Sequence, residues 1–427
     1  VLGESALDAS VSGGNNTAVG KEALTALTSA VSCTAVGHLA GFSHTTGNNL
    51  TAIGRGAAYA NTSGIENTAI GTGALFDNTT GDNNTAVGRL ALENNTTANN
   101  NTAVGKSSLA ANTTGTRNTA VGANALDACT TGNDNVGIGQ NALGAATTAS
   151  NNTAVGRLAG GSTTTGANNT VLGTFALENN TTASNNVAVG YNALNDNTTG
   201  SQNTAVGSFA LDANTTGATN SAFGTGSLGA NTTGEHNTAL GRWALTLNTT
   251  ANYNTAVGSS ALQENTTGTQ NTAVGALALD ANTTANSNVA VGYVALGANT
   301  TGADNTAVGT AALDANTTAS NNTAVGRSAL GANTTGTNNV AVGANALDAN
   351  TTGQGNVGVG YNALGSQTTG GNNVAVGREA LAAQTTNETK VAVGYQSQRG
   401  NTGEENVSVG GHTMEATSST GQYNTAM

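Results

Sequence analysis

The stretch from residue 101 to residue 122, NTAVGKSSLAANTTGTRNTAVG, contains the phrase NTAVG twice, 17 residues apart. The glycine that ends the phrase recurs at this spacing from Gly3 to Gly394, as 24 glycines in register. Each of these glycines is taken as position 0 of its repeat. A fixed period over such a length indicates a repeat architecture, in which each unit stacks on the next.

The residues before the glycine alternate in character, as in Thr102-Ala103-Val104. Alternation with a period of two predicts a short strand with one buried face. Position −1 is apolar in every repeat, and position −3 is usually Thr or Val. We therefore expect these two side chains to face the core and the Ala at −2 to face outward. A row of outward Ala would be a flat surface suited to contact with other copies of the chain.

The composition of the repeat excludes the helical alternatives. Helical repeats usually run to about 33 residues or more, and the many Gly, Thr and Asn residues oppose helix. Gly does not recur at every third position and Pro is absent, which excludes a collagen-like chain. The remaining fold class is all-β: a parallel β-solenoid of about 25 coils of 17 residues, each with two short strands and two tight turns. We expect one continuous solenoid over residues 1–427, with irregular coils at 30–66 and 384–427.

Asn occupies position −4 in most repeats, as at Asn101 and Asn118, and Cys33, Leu50 and Lys390 are the exceptions. A side-chain amide carries both donors and an acceptor, so a stack of amides can form hydrogen bonds along the axis of a solenoid. We therefore interpret the row as a turn ladder, in preference to a ligand site. The glycine at position 0 is expected to permit a left-handed or crowded backbone at the end of the strand.

The charge and hydropathy of the chain exclude two classes of partner. Only 8% of the 427 residues are charged, with a net charge of −12. This acidic balance disfavours nucleic acid and anionic membranes, which require basic patches. No apolar run approaches the roughly 18 residues that cross a bilayer, so no direct membrane insertion is expected.

No group of residues predicts catalysis, and we expect no catalytic, cofactor-binding or metal-binding site. The two cysteines, Cys33 and Cys129, replace Asn at positions −4 and +7, which indicates isolated substitutions rather than a metal or redox site. Asp at position +5 recurs in only some repeats and is interpreted as a solvated edge. A solenoid enzyme is disfavoured because such enzymes interrupt their repeats to assemble a site. The scattered histidines are His38, His44, His236 and His412, and the +5 aspartates are Asp127, Asp212, Asp280, Asp314 and Asp348.

Rows of Thr raise the possibility of ice binding. Thr113 and Thr114, at positions +8 and +9, are adjacent, so in a strand they would face opposite sides. An ice-binding strand generally carries its two Thr at i and i+2. The adjacent Thr pair therefore disfavours ice binding. Asn-x-Thr sequons occur up to twice per repeat. Most are expected to be structural, because coils about 4.8 Å apart leave no room for a sugar on each.

The phrases NTAVGKEAL, NVAVGYNAL and NTAIGTGAL resemble the head repeats of trimeric autotransporter adhesins of the Yersinia adhesin type, and similar repeats in phage and viral tail fibres. The resemblance covers nearly the whole chain, although the adhesin units are shorter and the Asn-Thr-Thr-Gly segment would supply the longer turn. It implies a left-handed parallel β-roll, a homotrimer, an extracellular location on a cell surface or virion fibre, and adhesion or a fibre shaft. The heptads of a coiled-coil stalk and a membrane anchor are absent from the sequence.

We therefore expect an extracellular structural or adhesive fibre protein without catalysis. Its partners would be copies of itself, as a homotrimer or a head-to-tail filament, together with a host, matrix or surface glycan. The absence of a polar cap at either end of the repeats suits head-to-tail stacking into a filament, or a chain that continues beyond these residues. The alternative is a monomeric solenoid that binds ice or polysaccharide. A receptor site, if one exists, is expected in the irregular segments, residues 30–66 and 384–427.

Overall fold

The computed structural model describes residues 2–401, 403–414 and 421–427. The chain divides into two compact units, Val1–Gly217 and Ala218–Met427. The described residues form strands and turns without a helix, and each unit is a parallel β-solenoid. The predicted fold class is therefore confirmed. The single continuous solenoid over residues 1–427 stays a prediction, and residues 402 and 415–420 of the irregular segment 384–427 lie outside the described residues.

Unit 1 contains twelve three-residue strands that begin 17 residues apart. They are β1 (Thr17–Val19), β2 (Thr34–Val36), β3 (Thr51–Ile53), β4 (Thr68–Ile70), β5 (Thr85–Val87), β6 (Thr102–Val104), β7 (Thr119–Val121), β8 (Val136–Ile138), β9 (Thr153–Val155), β10 (Thr170–Leu172), β11 (Val187–Val189) and β12 (Thr204–Val206).

Unit 2 continues the pattern, with a spacing of 17 up to β23, then 16 and 18 for the last two strands. Its described strands are β13 (Ser221–Phe223), β14 (Thr238–Leu240), β15 (Thr255–Val257), β16 (Thr272–Val274), β17 (Val289–Val291), β18 (Thr306–Val308), β19 (Thr323–Val325), β20 (Val340–Val342), β21 (Val357–Val359), β22 (Val374–Val376), β23 (Val391–Val393), β24 (Val407–Val409) and β25 (Thr425–Ala426).

Within each unit, every strand pairs in parallel with the next strand along the chain and in matching register. Thr102 lies beside Thr119, and Val104 beside Val121. Unit 2 repeats this pattern, with Val291 beside Val308. This register explains the strict spacing of the sequence: a slip of one residue would move each side chain of the strand to the opposite face.

The prediction of two strands per coil is wrong, because each described coil has one strand and closes through a series of turns. In the coil of Gly105, the turns place Ser107 and Leu109 in the left-handed region, with φ of 55° and 51°. Residues in that conformation cannot continue a pleated strand. The turn side still bonds to its neighbours, since the Leu109 amide donates to the Ala125 carbonyl of the next coil at 3.0 Å.

The predicted orientation of the strand is also wrong: Ala at −2 faces the core, and the residues at −3 and −1 face outward. Ala103 is fully buried, whereas Thr102 is half-buried and Val104 is exposed. Gly137 gives the physical reason. A Cβ at this inward position would already lie 3.2 Å from both the Ala142 carbonyl oxygen and the Leu126 side chain. The coil is thus too thin for larger inward side chains in most repeats.

One half of the thin core is apolar. It is built from Ala at −2 and +3 and from Leu at +4, and in the coil of Gly122 these are Ala120, Ala125 and Leu126, all fully buried. Unusually for bulky residues, the Leu residues hold a left-handed φ near 52°. Burial of each Leu side chain contributes about 1.5–3 kcal/mol, which offsets a backbone cost of about 1–2 kcal/mol.

The other half of the core consists of two rows of Asn. The predicted row at −4 is confirmed: the Asn118 amide N–H donates to Asn101 Oδ1 at 2.9 Å, and Asn101 Nδ2 donates to the Gly115 carbonyl at 2.9 Å. A second row at +7 was missed. Asn112 Nδ2 donates both to Asn95 Oδ1, at 2.8 Å, and to the same Gly115 carbonyl, at 3.0 Å. These bonds satisfy amides that would be costly to bury alone.

The expectation for the glycine at position 0 is confirmed in both respects. Gly122 has a φ of +133°, and a Cβ there would lie 2.6 Å from the Gly139 carbonyl oxygen of the next coil. A side chain at this position would therefore strain the backbone and separate two coils.

Candidate interaction surfaces

The outer face of the strands is the most regular surface of each unit. It carries Thr or Val at −3 in every described strand except β13 and an apolar residue at −1, and successive members of each row lie about 4.8 Å apart. Val104 is 36% exposed, Ile138 37% and Leu172 50%. A contiguous apolar row of this kind is unusual for a surface in contact with water only. We call these two rows the strand face.

The strand face changes two expectations. The outward Ala row that was expected to contact other copies does not exist, because Ala lies inward. In its place, Thr102 and Val104 stand at i and i+2 on one outward face. The Thr pair at +8 and +9 behaves differently: Thr113 Oγ1 donates to the Thr130 carbonyl at 3.0 Å, and Thr114 is exposed.

A corner row at positions +1 and +2 collects most of the cations and several aromatic residues. Eight of the eleven Lys and Arg residues stand at +1. In unit 1, Arg157 lies over the ring of Phe175, 5.0 Å from its centroid. In unit 2, Arg242 lies over Trp243 at 3.5 Å. Cation–π contacts of this kind at exposed sites contribute about 0.5–1 kcal/mol, so they stabilise the corner but do not form a reaction centre.

A groove interrupts this corner in unit 1, partly within the irregular segment 30–66. Its volume is about 420 Å³. Beside it, three aromatic rings stack along the axis: the centroids of Phe42 and Tyr59 are 5.1 Å apart, and those of Tyr59 and Phe76 are 4.8 Å apart. We call it the aromatic groove. It is lined by Leu39, Arg55, Gly56, Tyr59, Thr72, Gly73, Phe76, Leu90 and Glu93.

Cys33 and His44 are brought together in the core of unit 1. Both are fully buried, and Cys33 Sγ lies 3.5 Å from His44 Nε2. His44 occupies the +7 position and makes two of the bonds that an Asn makes there: Nε2 donates to the Gly47 carbonyl at 2.6 Å, and Nδ1 accepts from Asn61 at 2.9 Å. Burial raises the pKa of the Cys33 thiol and lowers that of His44. The pair is therefore a neutral thiol and a neutral imidazole, unlike an activated nucleophile.

Cys129 interrupts the +7 row of Asn. Its thiol is free and buried, and Asn112 Oδ1, which would accept from an Asn at this position, is left without a hydrogen-bond partner. Burial raises the pKa of Cys129 to about 11. The cysteine therefore ends a ladder rather than serving as a reactive group.

The aspartates at +5 are half-buried, and burial raises their pKa values, as for Asp127 and Asp280. The described residues contain no group of three or more His, Cys, Asp or Glu side chains placed to hold a metal ion. The other histidines lie apart. His236 stacks on Tyr253, with ring centroids 5.0 Å apart, His412 meets Tyr395 edge-on, and His38 is exposed.

Lys390 is the one lysine in the described chain that is fully buried. It stands at −4 in place of Asn, and its Nζ donates to Gln384 Oε1 at 3.0 Å and to the Asn401 carbonyl at 2.6 Å. Burial lowers its pKa to about 8, and Glu404 acts in the opposite direction. The sequence identified Lys390 as an exception to the Asn row, but it did not predict that the side chain is buried.

The structure separates the two classes of sequon. Asn112, at +7, is fully buried in the ladder, so it is inaccessible to a glycosyltransferase. Asn83 and Asn100, at −5, are exposed. Their side chains have the access that glycosylation of a secreted chain requires.

No protein-family model matches the chain, and no curated protein matches it. Among the described residues, no helix is both long and apolar enough to cross a membrane.

Proposed function

We propose that the chain is a structural fibre protein without catalytic activity, which acts outside the cell as the shaft or adhesive head of a surface or tail fibre. The strand face carries this proposal. Copies of the chain associate through it, as a homotrimer, and so remove the apolar row at position −1 from water.

The energetics of the strand face support self-association. Most coils add one partly exposed Val, Ile or Leu and one Thr or Val to the face; β13 adds Phe223 and Ser221 instead. Burial of apolar surface stabilises by about 25 cal/mol per Å², so twelve coils sum to a substantial contribution. The Thr side chains at −3 place a polar row beside the apolar one, and non-obligate interfaces normally combine an apolar centre with a polar rim.

Light scattering coupled to size-exclusion chromatography tests the proposal. We expect the mass of a trimer for the natural chain. The double variant Val104→Lys/Ile138→Lys places two charges on the strand face and should give the monomer mass. The matched control Thr114→Lys/Thr148→Lys places the same charges on the exposed Thr row of the same coils and should leave the trimer intact. A monomeric natural chain, or a trimer unaffected by the first variant, would refute association through this face.

A second candidate is the ice- or polysaccharide-binding monomer, which the outward Thr102 and Val104 pair favours. The strand face has the i and i+2 spacing that the +8 and +9 Thr pair lacks, but an apolar residue stands in place of the second Thr. Leu172 in unit 1, and Phe223 and Leu240 in unit 2, disturb the uniform rows with larger side chains, so fibre association ranks first. A monomeric chain with measurable thermal hysteresis would favour this second function instead.

A further inference from the structure

We propose that the aromatic groove of unit 1 binds a neutral saccharide. The groove exists because two departures from the repeat coincide. Position +5 is aromatic only at Phe42, Tyr59 and Phe76. The coils of Tyr59 and Phe76 also carry Gly56 and Gly73 at +2, where the neighbouring coils carry Leu39 and Leu90. Two missing side chains beside stacked rings leave a depression that is closed at each end by a Leu.

The rings form one wall of the groove. Tyr59 and Phe76 are nearly parallel, with an interplanar angle of 6°. The ring of Phe76 extends over Gly56, where a Cβ would lie 3.1 Å from it. Glu93 occupies the next rung of the +5 row beyond Phe76. The wall is thus a continuous aromatic surface with a carboxylate at its end. Aromatic carbon of this kind packs well against the C–H face of a pyranose ring.

Four polar side chains line the same groove. Within the described residues, the side chains of Arg55, Tyr59, Thr72 and Glu93 form neither an ion pair nor a side-chain hydrogen bond, and Arg55 and Thr72 are exposed. They supply a guanidinium, two hydroxyls and a carboxylate, which together can donate to and accept from sugar hydroxyls. A mostly apolar depression with a few convergent polar groups is the usual form of a small-molecule site.

The charge and size of the groove favour a neutral saccharide over the other occupants. One cation and one acid line it, so its local charge is balanced, and the net charge of −12 of the whole chain disfavours a polyanion. The volume of about 420 Å³ lies within the range of about 300–1,000 Å³ for small-molecule sites. A lipid chain would leave the guanidinium and the carboxylate unsatisfied.

The inference extends the proposed fibre function, because it supplies the attachment that an adhesive head needs. It can fail independently of that function. Self-association is measured as the solution mass and depends on the strand face. Saccharide binding is measured by titration and depends on the corner formed within residues 37–93.

Isothermal titration of the full chain with N,N′-diacetylchitobiose, cellobiose, maltose and lactose tests the proposal. We expect saturable binding of at least one of these sugars. Gly73→Asn refills the groove with a residue that other coils carry at +2, as at Asn141 before Leu158, and should weaken binding at least tenfold. Tyr59→Thr, a residue that occurs at +5 as Thr25 and Thr246, removes part of the wall and should also weaken binding at least tenfold.

The matched control is Gly226→Asn in unit 2, which fills a +2 glycine in a coil without an aromatic +5 residue. Circular dichroism and the solution mass establish that each variant is folded. Unchanged affinity in Gly226→Asn together with loss in both groove variants would support the site. Absence of binding to all four sugars, or equal affinity in Gly73→Asn and Tyr59→Thr, would overturn it.

Discussion

Asn316 Nδ2 donates a hydrogen bond to Asn299 Oδ1, 2.8 Å away and one coil earlier. Asn299 in turn donates to Asn282 at 3.1 Å and to the Gly302 carbonyl at 2.9 Å. A single side chain therefore takes part in three buried hydrogen bonds. Asn299→Ala should destabilise unit 2 by about 2–3 kcal/mol, because it leaves buried polar groups unsatisfied. Urea unfolding followed by circular dichroism measures the loss.

The control for this ladder is Thr301→Ala, which removes an exposed hydroxyl in the same turn. It should change the free energy of unfolding by less than about 0.5 kcal/mol. Equal losses in the two variants would mean that the amide row contributes nothing specific.

The inward orientation of Ala103 predicts an asymmetry between neighbouring residues of one strand. Ala103→Leu should destabilise unit 1 by about 1–3 kcal/mol or more, because the coil has no room for a larger inward side chain. Val104→Leu should be nearly neutral, since Leu172 and Leu240 already stand at this outward position. Thermal unfolding of both variants decides the orientation. The reverse order of stabilities would restore the orientation expected from the sequence.

The glycines of the repeat are not equivalent, and Gly122→Ala and Gly115→Ala should show the difference. Gly122 combines a φ of +133° with a close carbonyl, so Ala should cost about 3 kcal/mol. A Cβ on Gly115 would also meet a carbonyl at close range, that of Gly132, but Gly115 does not have a left-handed φ, and Ala98 and Ala149 already stand at the same +10 position in nearby coils, so the same substitution should cost less. Denaturant midpoints give the comparison, and a mild effect at Gly122 would contradict the crowding described at position 0.

Lys390 should make the stability of unit 2 depend on pH. Its pKa is about 8 in the folded chain, against 10.5 for an ordinary lysine. Between these two values the unfolded chain binds more protons, so stability should rise with pH from about 8 to 10.5. Below pH 8 the full cost of burying the ammonium group is present. Lys390→Asn should abolish the rise and stabilise the chain at pH 7 by about 2 kcal/mol.

Melting temperatures at pH 7 and pH 10 measure this effect. Lys106→Asn, at an exposed position in unit 1, is the control and should keep the pH dependence of the natural chain. A pH dependence that survives in Lys390→Asn would assign it to other groups.

Cys33 and Cys129 should resist thiol reagents in the folded chain. Both thiols are buried with raised pKa values, so thiolate and access are both lacking. With dithionitrobenzoate at pH 8, we expect release of chromophore only after unfolding. Thr114→Cys, at an exposed position, should react at once and serves as the positive control. Rapid reaction of the natural chain would contradict the burial of the Cys33–His44 pair.

Much of the fold was predictable from the sequence, because register repeats at each coil. The spacing of Gly105 and Gly122 specified stacked coils, and Asn101 and Asn118 specified a polar ladder. The direction in which Thr102-Ala103-Val104 faces was not predictable, since a period of two is the same for either face. The thickness of the coil decides it, and thickness depends on the turn side, where Leu109 adopts an uncommon left-handed conformation.

The candidate sites, like the fold, were only partly predictable from the sequence. Irregularity at residues 30–66 was visible in the sequence, and the aromatic groove overlaps that segment. The stacking of its aromatic rings could be recognised only once residues at +5 were known to lie side by side in consecutive coils. The proximity of Cys33 to His44 was hidden because positions −4 and +7 meet only when the coil closes. The strand face was hidden for the same reason as the orientation of Ala103.

The ladders of Asn have a consequence for the gene. Each rung bonds only to the coils on either side, so removal of a whole coil rejoins equivalent partners, whereas removal of one codon within a strand misaligns the side chains of that coil with those of its neighbours. Near-identical repeats are also the substrate on which recombination acts. Alleles of this gene should therefore differ in length by multiples of 17 codons, and the variation should be concentrated where consecutive repeats are most alike.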